Sequence, residues 1–286
     1  MKTKLLCAAV FAFLIFNYSF AAAATTIDPA IKYAYVANAG WIDCRGDTNS
    51  GAVIGEYVCA GNIYSANVGW INLGSGTPAN QIQYQNNSAT DYGVNQDGLG
   101  NLRGYAYAAN IGWLNFENTG APKVDLFTGK LSGSVWSANC GWISLSNSVA
   151  FVQTDSIQKG ALAPDGLPIA WLLQNFLTTN VAPQLDPDGD GVSNANEYLA
   201  GTDPLNANSV LKITAIFRNP LANNSALNWN SVATRYYAVQ TNSSLTTGAW
   251  GDFSAPAILG WNTASFTDAT PTNRFYRLRA YRPLTP

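Results

Sequence analysis

Four segments of the chain repeat one pattern: "YVANAGWI" from Tyr35, "YSANVGWI" from Tyr64, "YAANIGWL" from Tyr107 and "WSANCGWI" from Trp136. Each reads aromatic, small or variable, Ala, Asn, variable, Gly, Trp, then Ile or Leu. An internal repeat of this density constrains the fold more than composition does. The tryptophans fall at 41, 70, 113 and 142, with spacings of 29, 43 and 29, so the copies form two pairs with extra chain between the second and third. Side chains alternate on both sides of Asn-x-Gly, the pattern of two short strands around a tight turn that needs a left-handed residue. Upstream, "VDLFTGKLSGSVW" turns at Thr128–Lys130 in the same way, which makes each unit about three short strands. Units this small cannot bury their own faces and must share a core. Residues 25–152 are therefore expected to form a four-copy β-meander repeat domain.

On each hairpin the leading aromatic (Tyr35, Tyr64, Tyr107, Trp136) and the Trp share one face. Such a row suits either core anchors or flat platforms for sugar rings. A large ring fixed beside a turn favours the core. Ligand contacts are then expected from the insertion at residues 74–98, rich in Asn and Gln, where Tyr84 and Tyr92 can stack on a sugar while amides bond its hydroxyls.

The first 24 residues place Lys2 and Lys4 ahead of an apolar run that ends in small residues, as a secretory signal does. They are too short and wrongly flanked for a membrane anchor, and no later segment is apolar enough to span a bilayer. Loss of Lys2 and Lys4 from 15 basic residues leaves 13 against 17 acidic ones, a formal charge of −4 that gives nucleic acid nothing to bind. Histidine is absent, so His-based triads and His-ligated metals are excluded. Of the cysteines outside the signal, Cys44 and Cys59 are close enough in sequence for a disulfide under oxidising conditions, and Cys140 stands where the other copies have Ala39, Val68 and Ile111.

The most specific chemistry lies in "DPDGDGVSNANE", residues 186–197. Calcium takes six to eight oxygens, and a twelve-residue loop supplies them from fixed places. Asp186, Asp188 and Asp190 hold positions one, three and five, Val192 offers a backbone carbonyl at seven, Asn194 stands at nine and Glu197 at twelve. No basic residue lies among these acids. Helical spacing in "GLPIAWLLQNF", with Pro168 near its start, and in "NANEYLAGTDP", stopped by Gly201 and Pro204, flanks the loop with two short helices. This arrangement resembles the calcium modules of the dockerin and thrombospondin type 3 families of secreted bacterial proteins, over residues 163–207. The resemblance implies a small EF-hand-like helical module binding calcium. Only Asp165 precedes the first helix, unlike the two matching loops of a dockerin.

Residues 153–162 read as a linker. From 208 to 286 six or seven short alternating runs, from "VLKITAIF" to "RFYRLRAYR", are separated by Asn, Gly, Pro and Ser, which predicts a β-sandwich similar to immunoglobulin or fibronectin domains. Arg274, Arg277, Arg279 and Arg282 in its last run are expected on a solvent-facing edge. The acidic residues of 25–150 do not recur at equivalent places in the copies, and no nucleophile or nucleotide motif is present, so no enzyme is expected. The chain thus reads as a mainly β, secreted or cell-surface bacterial protein that binds calcium and recognises or adheres to an extracellular glycan or cell-envelope polymer. The rival reading is a structural component of an extracellular matrix or surface layer, and a glycan-active enzyme comes after both.

Overall fold

The computed structural model describes residues 24–253, 258–259, 262–269 and 274–285. The signal-like segment, Ala24 apart, lies outside them. Eight antiparallel strands carry the four repeats: β1 Ile27–Val36, β2 Gly40–Asp43, β3 Ala60–Ser65, β4 Gly69–Ser75, β5 Leu102–Ala108, β6 Gly112–Asn115, β7 Ser134–Ser137 and β8 Gly141–Ser144. They pair in chain order, and β8 pairs back onto β1 through Tyr35 with Ser144 and Val36 with Ile143. The meander is a closed barrel, in which no strand of the eight is left as an edge. Each Asn-x-Gly-Trp copy is one two-stranded hairpin of it, and the remaining short strands pack outside this path.

The repeat turns show why the motif is written as it is. Ala39 N–H bonds to Val36 O at 3.3 Å and Val68 N–H to Ser65 O at 3.3 Å, and the next residue, Gly40 or Gly69, takes φ of 77° or 84°. Only glycine adopts that conformation without steric cost. The Asn side chains then join the turns into a ring. Nδ2 of Asn67 donates to Ala39 O (3.2 Å), Asn110 to Val68 O (2.9 Å), Asn139 to Ile111 O (3.0 Å) and Asn38 to Cys140 O (3.2 Å). Each hairpin is thereby tied to the one before it, and the first to the last.

The barrel wall is filled from within by small and aliphatic side chains. Val36, Ser65, Ala108 and Ser137 lie nearest the turns, Ile42, Ile71, Leu114 and Ile143 form the next layer, and Ala39, Val68 and Cys140 close the turn end. An eight-stranded barrel has room for such side chains and little more. The opposite end is packed by Ile27, Cys44, Ile54, Cys59, Leu102, Phe116 and Val152 around a cavity of about 30 Å³.

The expected orientation of the tryptophans is corrected by this packing. Trp41, Trp70, Trp113 and Trp142 are 45–50 % exposed on the outer wall. Four indoles pointing at the axis would exceed the interior that the Ile and Leu layer already fills.

The segment read as a linker is hydrogen-bonded to the barrel: the strand Val152–Thr154 pairs with β1, and Gln158 exchanges backbone bonds with Ile54 and Glu56. Beyond it, α1 (Ile169–Phe176) begins after Pro168, and α2 (Asn194–Ala200) ends at Gly201, whose φ of 76° lets its N–H return to Glu197 O at 2.7 Å. Trp171, Leu172, Leu167 and Tyr198 bury the contact between the two helices. The C-terminal part has two antiparallel sheets. One holds β9 (Ile213–Asn219), β10 (Asn224–Ser231) and β12 (Asn262–Asp268), and the other is built on β11 (Tyr236–Asn242) and β13 (Phe275–Tyr281). Leu227 and Trp229 from the first meet Tyr237 and Val239 from the second.

Arg282 does not lie on a solvent-facing edge. It is buried against Glu56, its Nε and NH2 reaching Oε2 at 3.0 and 2.9 Å, while Arg235 NH2 meets Oε1 at 3.2 Å and Tyr198 OH donates to Oε2 at 2.6 Å. This cluster joins the barrel, α2 and the C-terminal sheets. No helix among the described residues is long and apolar enough to cross a membrane.

Candidate functional sites: an acidic loop and an aromatic wall

In the acidic loop one set of oxygens fixes the backbone and another is left over. Asp186 accepts from Gly189 N–H and Gly191 N–H, both at 2.8 Å, Asp188 Oδ1 from Asp190 N–H at 3.2 Å, and Asp190 Oδ1 from Val192 N–H at 2.8 Å. Gly191, at φ 90°, makes the bend. Asn194 donates to Ala182 O (3.0 Å) and Glu197 Oε1 accepts from Thr202 (3.3 Å). What remains is Asp188 Oδ2, Asp190 Oδ2, Asn194 Oδ1 and Glu197 Oε2, each buried and without a partner among the described residues. Asn194 and Glu197 are fully buried.

Carboxylate oxygens of Asp186, Asp188 and Asp190 lie within 4.8 Å of one another. Burial, and then the charges of Asp188 and Asp190, push the Glu197 carboxyl up to about 7. Buried, like-charged oxygens left unpaired are unfavourable unless a cation joins them. An oxygen-only set from loop positions one, three, five, nine and twelve suits a hard divalent ion such as calcium.

The outer wall carries the second constellation. Each Trp faces the leading aromatic of its own hairpin: centroids are 5.0 Å apart for Tyr35–Trp41, 4.9 Å for Tyr64–Trp70, 4.9 Å for Tyr107–Trp113 and 5.0 Å for Trp136–Trp142. Two residues past each Trp stands a polar side chain, Asp43, Asn72, Asn115 or Ser144, paired with the leading aromatic of the next hairpin: Tyr64, Tyr107, Trp136 and Tyr35. The wall therefore repeats an aromatic and polar patch at every seam between hairpins. This second polar position is visible in the sequence, but its meaning depends on which face points outward.

The insertion behaves differently from expectation. Tyr84 is 2 % exposed, its hydroxyl donating to Cys59 O and accepting from Gly76 N–H, so its ring supports the barrel and offers no face to a ligand. Tyr92 is half-buried against Trp113, with centroids 5.0 Å apart, and bonds Asn72 at 3.1 Å. It belongs to the aromatic wall. The expected bridge is not formed: Cys44, Cys59 and Cys140 are all buried free thiols. Burial raises the Cys44 and Cys59 thiols to about 12, which leaves them inert small hydrophobes beside the lower cavity. Compared with known protein families, curated proteins and solved structures, the chain matches none of them.

Proposed function

We propose that the chain is a secreted or cell-surface, calcium-binding, non-catalytic recognition protein with a glycan as its ligand. In this reading the repeat barrel is joined through a calcium-rigidified helical module to a C-terminal β-sandwich. The observation that carries recognition is the row of half-exposed aromatic pairs, each flanked by an amide, carboxylate or hydroxyl, around the barrel. A structural component would be expected to bury nearly all its tryptophans, and these are open to solvent. Aromatic faces combined with a few placed polar groups are the ordinary means of holding a ligand with both apolar and hydroxyl surfaces.

Calcium is supported by the four unpartnered buried oxygens of Asp188, Asp190, Asn194 and Glu197 beside Asp186. Its role is to hold α2 in place. Binding is expected to be modest, Kd about 10⁻⁴ to 10⁻³ M, as in many extracellular modules.

A glycan array probed with the full chain in calcium tests the recognition half, and a blank array overturns it. Calorimetric titration with calcium tests the other half, with one ion expected. Titration of Asp188→Ala indistinguishable from the unsubstituted chain would remove the assignment.

A further inference from the structure

The four seams of the aromatic wall are not equivalent. Between the third and fourth hairpins the chain after β6 folds over the wall, and Asn115, Glu117, Thr119, Gly120, Trp136 and Trp142 enclose a depression of about 300 Å³. That is the lower end of the size range of small-ligand sites. Gly120 forms its floor against the indole: a Cβ there would lie 2.9 Å from Cζ3 of Trp142 and 1.9 Å from Ser134 O. The related seam between the first and second hairpins has the same local plan. Asp43 Oδ1 accepts from Arg45 N–H (2.9 Å) as Asn115 Oδ1 does from Glu117 N–H (2.8 Å), and Gly46 lies against Trp70 as Gly120 does against Trp142.

The polar groups of the first seam are already engaged. Asp43 is paired with Lys32 at 2.6 Å, and Arg45 donates to Ile27 O. At the third seam the corresponding groups are free. Among the described residues nothing bonds the Glu117 carboxylate, Asn115 Nδ2 or the Thr119 hydroxyl, and all of them border two exposed indoles.

We infer that this depression is a saccharide subsite, taking a neutral, hydroxyl-rich pyranose packed against Trp136 and Trp142. The inference rests on the glycan reading above and gives it a place. The negative face of an indole attracts the slightly positive C–H groups of a sugar ring. Beside it, a carboxylate accepts from sugar hydroxyls in charge-assisted bonds, the strongest kind available to a neutral ligand. Asn115 Nδ2 donates and Thr119 does either. The lining has one carboxylate and no cation, which disfavours an anionic polymer. A quaternary ammonium is disfavoured by ring geometry. Trp136 and Trp142 lie 5.0 Å apart at 60°, in contact with each other, so no cage opens between them. A single acid at the depression also supports holding a glycosidic bond without cleaving it, since hydrolysis takes two.

Titration calorimetry of the full chain, in calcium, with cellohexaose, xylohexaose, mannohexaose and chitohexaose tests the site. At least one probe is expected to bind. Glu117→Ala and Trp136→Ala should each weaken it roughly tenfold or more, the loss of about 1.4 kcal/mol or above expected for a charged hydrogen bond or a packed ring. Phe217→Ala, at an exposed aromatic of the C-terminal sheet outside the wall, should leave affinity within about twofold, which is inside ordinary surface-substitution effects. Glu117 is exposed, so its variant is expected to keep the unsubstituted melting temperature and to separate lost binding from lost folding. A probe that binds all three variants alike overturns the subsite while the glycan reading stands. Failure of every probe overturns the subsite even if the array finds an anionic glycan, and choline binding in their place points to a cation site.

Discussion

Trp113 and Leu114 are neighbours on β6 with opposite surroundings, one 45 % exposed and the other 1 %. Leu114→Ala should cost about 2 to 5 kcal/mol, because it empties a filled layer of the barrel. Trp113→Ala should cost only about 1 to 2 kcal/mol, the edge-to-face pairing with Tyr107 and Tyr92 plus the covered part of the ring. Urea unfolding of both variants checks the pair, and equal losses would contradict the outward orientation. The alternation that separates Trp from Leu is legible in the sequence. Which face turns inward is not, since both sets are apolar, and the choice is made by the curvature of a closed eight-stranded wall. Gly112 states its constraint more plainly. It takes φ 70° with no atom within 4 Å of where a Cβ would lie, so conformation alone fixes glycine there. Gly112→Ala should lose about 1 to 2 kcal/mol and Gly112→Asn less, because Asn tolerates the left-handed region. Melting temperatures in the order Gly, Asn, Ala would agree, and Ala above Asn would not.

The hairpins and the acidic loop differ in how far their sequences reveal them. Turn, strand and flanking helix signals are local, which is why the four hairpins, α1 and α2 could be read directly from Asn-x-Gly, Pro168 and Gly201. The ring of Asn bonds could not, because each joins residues 28, 42 or 102 positions apart and the turn alone already accounts for Asn. The free thiols were equally hidden: short sequence separation suggested a bridge, whereas both side chains are absorbed in the apolar lower end of the barrel. In the acidic loop the carboxylates of Asp186, Asp188 and Asp190 come together within 4.8 Å, because a short loop folds on its own register. Glu197 there stands against Asp188 and Asp190 with one oxygen unpartnered. Glu197→Gln removes a buried like charge, so the variant should melt higher than the unsubstituted chain in chelator and lose the upward shift expected from calcium on the proposed assignment. That crossing is the expected result, measured by thermal unfolding with calcium and with EDTA. A calcium shift equal in both proteins would take Glu197 out of the ligand set.

What makes the barrel, α2 and the C-terminal sheets one body is Glu56, and no local pattern announces it. Its carboxylate holds Arg235, Arg282 and Tyr198, which lie 142 residues or more along the chain, and all four side chains are buried. Two cations share one anion, and the Arg235 guanidinium also donates to Tyr198 O (2.8 Å) and Leu199 O (3.1 Å) near the C-terminal end of α2, where free carbonyls favour positive charge. The consequences of removing each partner are therefore unequal. Without Arg235 or Arg282 the carboxylate keeps one cation and the Tyr198 hydroxyl. Without Glu56 two guanidinium groups stay buried with no counter-charge, and breaking a buried pair in this way costs about 3 to 5 kcal/mol. Glu56→Ala should accordingly fall at the top of that range and exceed both single arginine variants in denaturant unfolding. Because Tyr198 adjoins Glu197 on α2, loss of the cluster should also free the helical module to melt before the barrel, replacing one calorimetric transition by two. A Glu56→Ala protein that unfolds in one step within about 1 kcal/mol of the unsubstituted chain, the range of a surface ion pair, would show that the cluster does not hold the three parts together.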